Sequence, residues 1–262
     1  MWKIKEILRS LFGANPREDH RERVQPVFPA SVTRNTMGSR LRALTRYPIW
    51  DWECFRGVLI CLATMGTGHY VPASQRPDGV YLDGLHPTFR ELRAISAQRQ
   101  GRETSRVVLV DRERSCLIIS GITYVGSTRQ VRVSMATQPG RAQVQSPILT
   151  IHVHPNQGGD VGFSSQDYVN FLSDQRQIVM AICCQGGVLL AMKTSSTPRQ
   201  VPSQTAERMI SLSRDDITSI WSKLGLPNPV LSLNKAICTE FGMTLYQTKG
   251  TGMARRIDVT TF

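Results

Sequence analysis

His152 and His154 stand two residues apart in the run Ile151-His152-Val153-His154-Pro155, and Ser164 and Asp167 follow a short way downstream. Residues two apart in an extended strand face the same side, so the two imidazoles can converge on one ion. Pro155 has no N–H for a strand ladder, and the glycines at 158 and 159 let the chain fold back toward the histidines. Ser164-x-x-Asp167 then opens the amphipathic run Tyr168, Val169, Phe171 and Leu172 as a helix with a side-chain cap, which delivers Asp167 as a third ligand. Two histidines, one carboxylate and an open fourth position form the ligand set of a catalytic zinc. A bare His-x-His is more often a pair of hydrogen-bonded structural residues, and Ser164 with Asp167 taken alone is a capping box. The parts occurring in order, with a glutamate upstream, favour the metal. Amidohydrolase and metallo-lactamase sites that begin with His-x-His need more histidines downstream, and none follows His154.

The surrounding periodicity supplies elements to position these residues. Phe89, Leu92 and Ile95 mark one face of a helix over Pro87 to Gln100; Glu103 follows it and precedes the apolar run Val107–Val110. Strand-like runs are expected at 107–110, 116–125, 130–136 and 148–154, with Asp111 to Ser115 as a hairpin turn. After the Ser164 helix, Ile178–Cys184 and Val188–Lys193 flank Gln185-Gly186-Gly187 as a second hairpin. Residues 194–206 read as an exposed loop, and Ser213-Arg-Asp-Asp216 as the capped start of a helix that Pro227 and Pro229 stop. A short helix and a strand over Met243–Gln247 complete the chain.

Three segments are expected: residues 1–39 as an amphipathic helix (2–12) and polar linker (Asn15–Ser39), 40–86 as an accessory region folding onto the body, and 87–262 as the domain bearing the site. The accessory region holds Trp50, Trp52, the apolar run Val58–Met65 and a short strand within Gly79–Gly84. His69 and His86 have no metal-ligand spacing and read as structural.

The 262 residues are enough to bury a full core, and the formal charge of +12 favours anionic partners without choosing among them. No apolar stretch is long enough for a transmembrane segment and no secretory signal is evident, so a cytoplasmic location is expected. The six cysteines form no Cys-x-x-Cys pair and read as small buried hydrophobes in a reducing compartment.

His152-Val153-His154-Pro155 followed by Ser164-x-x-Asp167 resembles the signature of the JAMM metalloproteases, the MPN+/JAB domain family, and in particular its prokaryotic members. The resemblance implies an α/β fold, a mixed β-sheet flanked by helices with JAB/MPN-like, cytidine-deaminase-like layering, here with an N-terminal helical extension. It also implies a zinc-dependent isopeptidase or peptidase, a deubiquitinase-like hydrolase cutting at the C-terminus of ubiquitin or a ubiquitin-like protein, with E1- and E2-like conjugation enzymes as companions. By the same resemblance His152, His154 and Asp167 hold Zn2+, Ser164 stabilises the oxyanion, and a glutamate from an earlier strand activates the attacking water. Glu103 fits that place in the order helix, glutamate, strand, with Glu91, Glu113 and Glu53 as rivals. Two alternatives stand beside this: a RadC-like, nucleic-acid-associated protein using the arginine-rich surface, and an inactive scaffold that binds a ubiquitin-like partner.

Overall fold

The computed structural model describes residues 31–127, 131, 144–154, 162–184, 187–224, 229–249 and 252–257. Within them a ten-stranded sheet runs in the order β1 (Ile49–Trp50), β2 (Gly79–Tyr81), β10 (Met253–Arg256), β9 (Thr244–Thr248), β8 (Gly187–Met192), β7 (Val179–Cys184), β6 (Gln145–Val153), β3 (Thr104–Asp111), β4 (Cys116–Ile119), with β5 (Tyr124–Val125) also paired to β3. Its described helices are α1 (Ser31–Leu44), α2 (Trp52–Met65), α3 (His86–Gln98), α4 (Ser165–Ser173), α5 (Ser203–Leu224) and α6 (Pro229–Glu240). The sheet is mixed: β1 with β2 and β6 with β7 are parallel, and the remaining ladders are antiparallel. A parallel neighbour cannot be reached by a hairpin, so α4 serves as the crossover between β6 and β7. No described helix is long and apolar enough to cross a membrane.

Strand alternation sorts the interior into two layers. Leu149, Ile151 and Val153 of β6, Val179 and Ala181 of β7, and Leu190 of β8 pack with Trp50, Phe55, Leu59 and Leu92 under α2 and α3. The intervening Met180, Ile182, Leu189 and Ala191 pack with Phe171, Ile210 and Phe241 under α4, α5 and α6. A sheet covered on both faces needs strands that are apolar at successive positions, which is the pattern of β7 and β8. The helices start where local chemistry allows. Asp51 accepts a hydrogen bond from the Cys54 N–H (2.7 Å) at the start of α2, and Pro87 sits in the first turn of α3, where its missing N–H costs nothing.

The helix after Ser164, the Asp111–Ser115 turn and the β7–β8 hairpin form as the periodicity predicts, with Asp111 opposite Cys116 and Cys184 opposite Gly187. Five expectations are corrected. Residues 31–39 of the expected linker belong to α1, whose Leu41 is buried against α2 with Met37 and Leu44 packed beside it; a polar sequence with a few apolar anchors is enough once a partner helix is present. The run 116–125 is broken into β4 and β5. The expected exposed loop at 194–206 contains buried Thr194, Thr197 and Val201, because the two threonine hydroxyls donate to the Gly242 carbonyl (2.6 and 3.1 Å), and α5 already begins at Ser203. Ser213 is therefore inside a continuous helix and caps nothing; the buried face of Ala206, Met209, Ile210 and Ile217 outweighs the local capping pattern. Pro229 starts α6 rather than stopping a helix. The amphipathic stretch 2–12, the strand-like run 130–136 apart from Val131, the Pro155–Gly159 turn, Gln185-Gly186 and Pro227 lie outside the described residues.

Candidate metal centre

His152 in β6 and His154, one residue past its end, lie on the side opposite the one that Ile151 and Val153 bury. His152 is buried and its Nε2 lies 3.1 Å from the Nε2 of His154. Helix α4 places Asp167 against both rings, with Oδ1 3.4 Å from His152 Nε2 and Oδ2 3.6 Å from His154 Nε2. These three side chains form a group that can hold a metal ion, the one such His/Cys/Asp/Glu group among the described residues.

Asp167 is fixed by the start of its own helix. Its Oδ2 accepts from the Ser164 N–H (2.7 Å) and the Ser164 hydroxyl (2.8 Å), while Ser164 Oγ accepts from the Asp167 N–H (3.2 Å), a complete reciprocal capping box. Burial raises the Asp167 carboxyl, but the charges and hydrogen bonds of His152 and His154 outweigh it and hold the group well below the usual carboxylate range. Asp167 is thus an anion aimed at two imidazole nitrogens. Ser164 is exposed beside it, with both hydroxyl functions engaged in the cap.

Glu103 immediately precedes β3. Since Thr104 pairs with Val153, one further step of the antiparallel register sets Glu103 across from His154. Its backbone is held by the segment after β5, the N–H donating to the Ser127 carbonyl (2.8 Å) and the carbonyl accepting from the Gly126 N–H (2.9 Å). Burial pushes the carboxyl up; His154 and the Val131 N–H pull it down and the Asp167 charge pushes it further up. The glutamate therefore faces the histidine-aspartate group from the neighbouring strand. The rival carboxylates do not: Glu91 is clamped by the Arg106 guanidinium (2.7 and 2.5 Å), Glu53 pairs with Arg56 along α2, and Glu113 sits in the β3–β4 turn. His86 is at the start of α3, 3.8 Å from Asp83.

A cavity of about 930 Å3 opens from His152 and Asp167 along α4. Ser105, Thr150 and Met180 of β3, β6 and β7 floor it, Gln166 and Asn170 form the helix wall, and Asp174 to Gln177 close the far end. The polar floor is readable in sequence, because Thr150, His152 and His154 share one side of a strand. Asn234 is not: this buried residue of α6 accepts from the Phe163 N–H (3.0 Å) and the Tyr168 hydroxyl (2.8 Å), and no local pattern links it to residues 71 and 66 positions earlier. No protein-family model, curated protein or solved structure matches the chain.

Proposed function

We propose that the chain is a zinc-dependent hydrolase that cleaves the peptide or isopeptide bond at the C-terminus of ubiquitin or a ubiquitin-like protein. The observation that carries this reading is a buried carboxylate, Glu103, at the start of the strand beside a two-histidine, one-aspartate group. Bond lengths of about 2.0–2.1 Å around tetrahedral zinc imply donor atoms ~3.3 Å apart, and the separations of His152 Nε2 from His154 Nε2 (3.1 Å) and from Asp167 Oδ1 (3.4 Å) bracket that spacing. Two imidazoles and a carboxylate leave one coordination position for water or substrate, the arrangement of catalytic rather than structural zinc sites. Zinc held there supplies a Lewis acid and makes water acidic enough to ionise at about pH 7.

The chain's own residues do the rest. Glu103 takes a proton from the attacking water as the C–O bond forms, then returns it to the leaving amine as the C–N bond breaks. A carboxyl raised by burial holds a proton more readily than a solvated one, which suits the second transfer. The cavity wall is the nine-residue helix α4, ~13.5 Å long. An extended chain rising ~3.3 Å per residue fits about four residues beside it. An extended C-terminal tail is the substrate form that such a trough accepts, and its polar floor and amide wall can pair with a peptide main chain.

The test is cleavage of ubiquitin-like fusion proteins. Chelator-sensitive cleavage is expected, and Glu103→Gln should reduce it by roughly two to four orders of magnitude, the range general acid–base catalysis supplies. Zinc content should stay unchanged. Cleavage that survives in Glu103→Gln removes that residue from the mechanism, and cleavage indifferent to chelator removes zinc.

A further inference from the structure

The segment that carries Asp167 is held from α6 by Asn234, with the Cys238 thiol also 3.6 Å from the Tyr168 hydroxyl. Asn234 is fully buried on α6, and its Oδ1 accepts from the Phe163 N–H at 3.0 Å and from the Tyr168 hydroxyl at 2.8 Å. Its Nδ2 donates to the Val230 carbonyl at 2.8 Å, one turn back along the same helix. That third bond fixes the orientation of the amide: with the nitrogen committed to a carbonyl, the oxygen must face the loop. The two donors it receives flank the capping box, Phe163 directly before Ser164 and Tyr168 directly after Asp167. One oxygen thus spans the turn that presents the carboxylate.

Two further observations tie this contact to the histidines and to α6. The Phe163 ring packs 6.3 Å from the His152 ring and 5.4 Å, edge on, from that of Tyr168. At Gly162 an added Cβ would come within 2.1 Å of Val230 Cγ1 and 2.9 Å of Asn234 Nδ2, so the backbone of the loop is pressed against α6. A capping box sets the first turn of a helix but not the angle at which that turn meets a neighbouring strand. The angle is set by what the flanking residues touch, and here both flanks meet Asn234. Ligand geometry must hold to about 0.5 Å.

We infer that Asn234 is a positioning residue for the metal centre: it touches no ligand, yet it sets where Asp167 stands relative to His152 and His154. The inference rests on the reading of those three residues as a metal site. Removing outer hydrogen-bond partners of metal ligands lowers affinity by about 10- to 100-fold, and the lower end is expected for Asn234→Leu because its hold passes through the backbone.

The experiment uses the full chain and zinc alone. Zinc affinity is measured by competition with a chromophoric chelator, and thermal melts are recorded with and without zinc, for the unaltered protein, Asn234→Leu, the milder Tyr168→Phe and a control, Tyr246→Phe. Tyr246 is buried on the other face of the sheet, where its hydroxyl donates to the Pro77 carbonyl (3.1 Å). A merely structural role lowers the melting temperature of apo and zinc-loaded protein equally. A positioning role shrinks the zinc-induced rise, because ligand stabilisation follows affinity. Asn234→Leu should bind zinc about tenfold more weakly and show the smaller rise, with Tyr168→Phe in the same direction and Tyr246→Phe unchanged in both. Unaltered zinc affinity in Asn234→Leu and Tyr168→Phe overturns the inference while leaving the metal reading intact. Failure of the unaltered chain to take zinc overturns the metal reading, and this inference with it.

Discussion

Two aspartates near opposite ends of α4 line the same cavity, and both are held below the usual carboxylate range, yet they are built for different purposes. Asp174, just past the end of the helix, faces a permanent cation, the Arg176 guanidinium. Burial raises its carboxyl, but Arg176, through two guanidinium bonds (2.9 and 2.7 Å) and its own N–H (2.9 Å), together with the Lys193 charge, brings it down. Below it the buried Lys193 donates to the Asp174 carbonyl (2.7 Å) between the faces of Phe171 and Tyr70. Asp167, at the other end, faces two imidazoles whose Nε2 atoms point at it and at one another. An arginine cannot surrender its protons, so the Asp174 pair is closed; an imidazole can offer a lone pair, so the Asp167 group is open to an ion. A lowered carboxyl pKa by itself does not separate the two, whereas the chemistry of the partners does.

The largest contrast is in zinc. Asp167→Ala should abolish stoichiometric zinc binding, whereas Asp174→Ala should leave zinc affinity within about twofold because its partners are not ligands; chelator competition on both variants reads this directly. Equal losses would mean that the cavity's general negative potential, rather than a defined ligand set, holds the ion.

A smaller contrast is in pH dependence. Burial lowers the Lys193 ammonium from 10.5 to about 7, with Asp174 opposing the shift. Between about pH 7 and 10.5 the unfolded chain therefore holds a proton that the folded chain has released, so this residue makes stability rise with pH across that window. The effect amounts to at most a few kcal/mol by the usual conversion of pKa shifts. Denaturant melts of Lys193→Met should show a flatter rise over that range and little loss at neutral pH, since an apolar chain of similar length avoids the desolvation of the charge. An unchanged slope would show that Lys193 does not titrate there.

Two surface changes bound the low end. Ser164→Ala should cost about 1 kcal/mol of stability through the lost cap. Any fall in turnover of a hundredfold or more with zinc retained would show that the hydroxyl leaves the cap to stabilise an oxyanion. Arg176→Ala should cost about 1 kcal/mol, since the arginine side of the pair is exposed to screening by solvent although Asp174 is mostly buried; a larger loss would mean that the closed end of the cavity depends on it.

How much of this was legible in the sequence follows the range of the forces involved. His152, His154 and Asp167 could be brought together on paper because a strand repeats every two residues and a cap announces itself within four. The mixed sheet with flanking helices was legible for the same reason, since alternation and helical spacing are local. Glu103 could be ranked above Glu91 only by order along the chain and by Glu91 lying inside a helix; what places it is the register of β3 against β6, decided by pairs from Asp111 with Gln145 to Thr104 with Val153 that lie far apart in sequence. Asn234, Lys193 and the buried threonines at 194 and 197 gave no local signal. Each is a polar residue whose partner lies far away in sequence, and its burial makes sense only once that partner is in place. The false cap at Ser213 is the converse, a local pattern overruled by the buried face of α5.

Whether an ion is held between β6 and α4 is tested most directly by the zinc stoichiometry and affinity of the purified chain beside His152→Ala. One zinc per chain, removable by chelator and absent from His152→Ala, is the predicted result. A chain that takes no zinc, or a His152→Ala variant that binds it as tightly as the unaltered protein, contradicts the account.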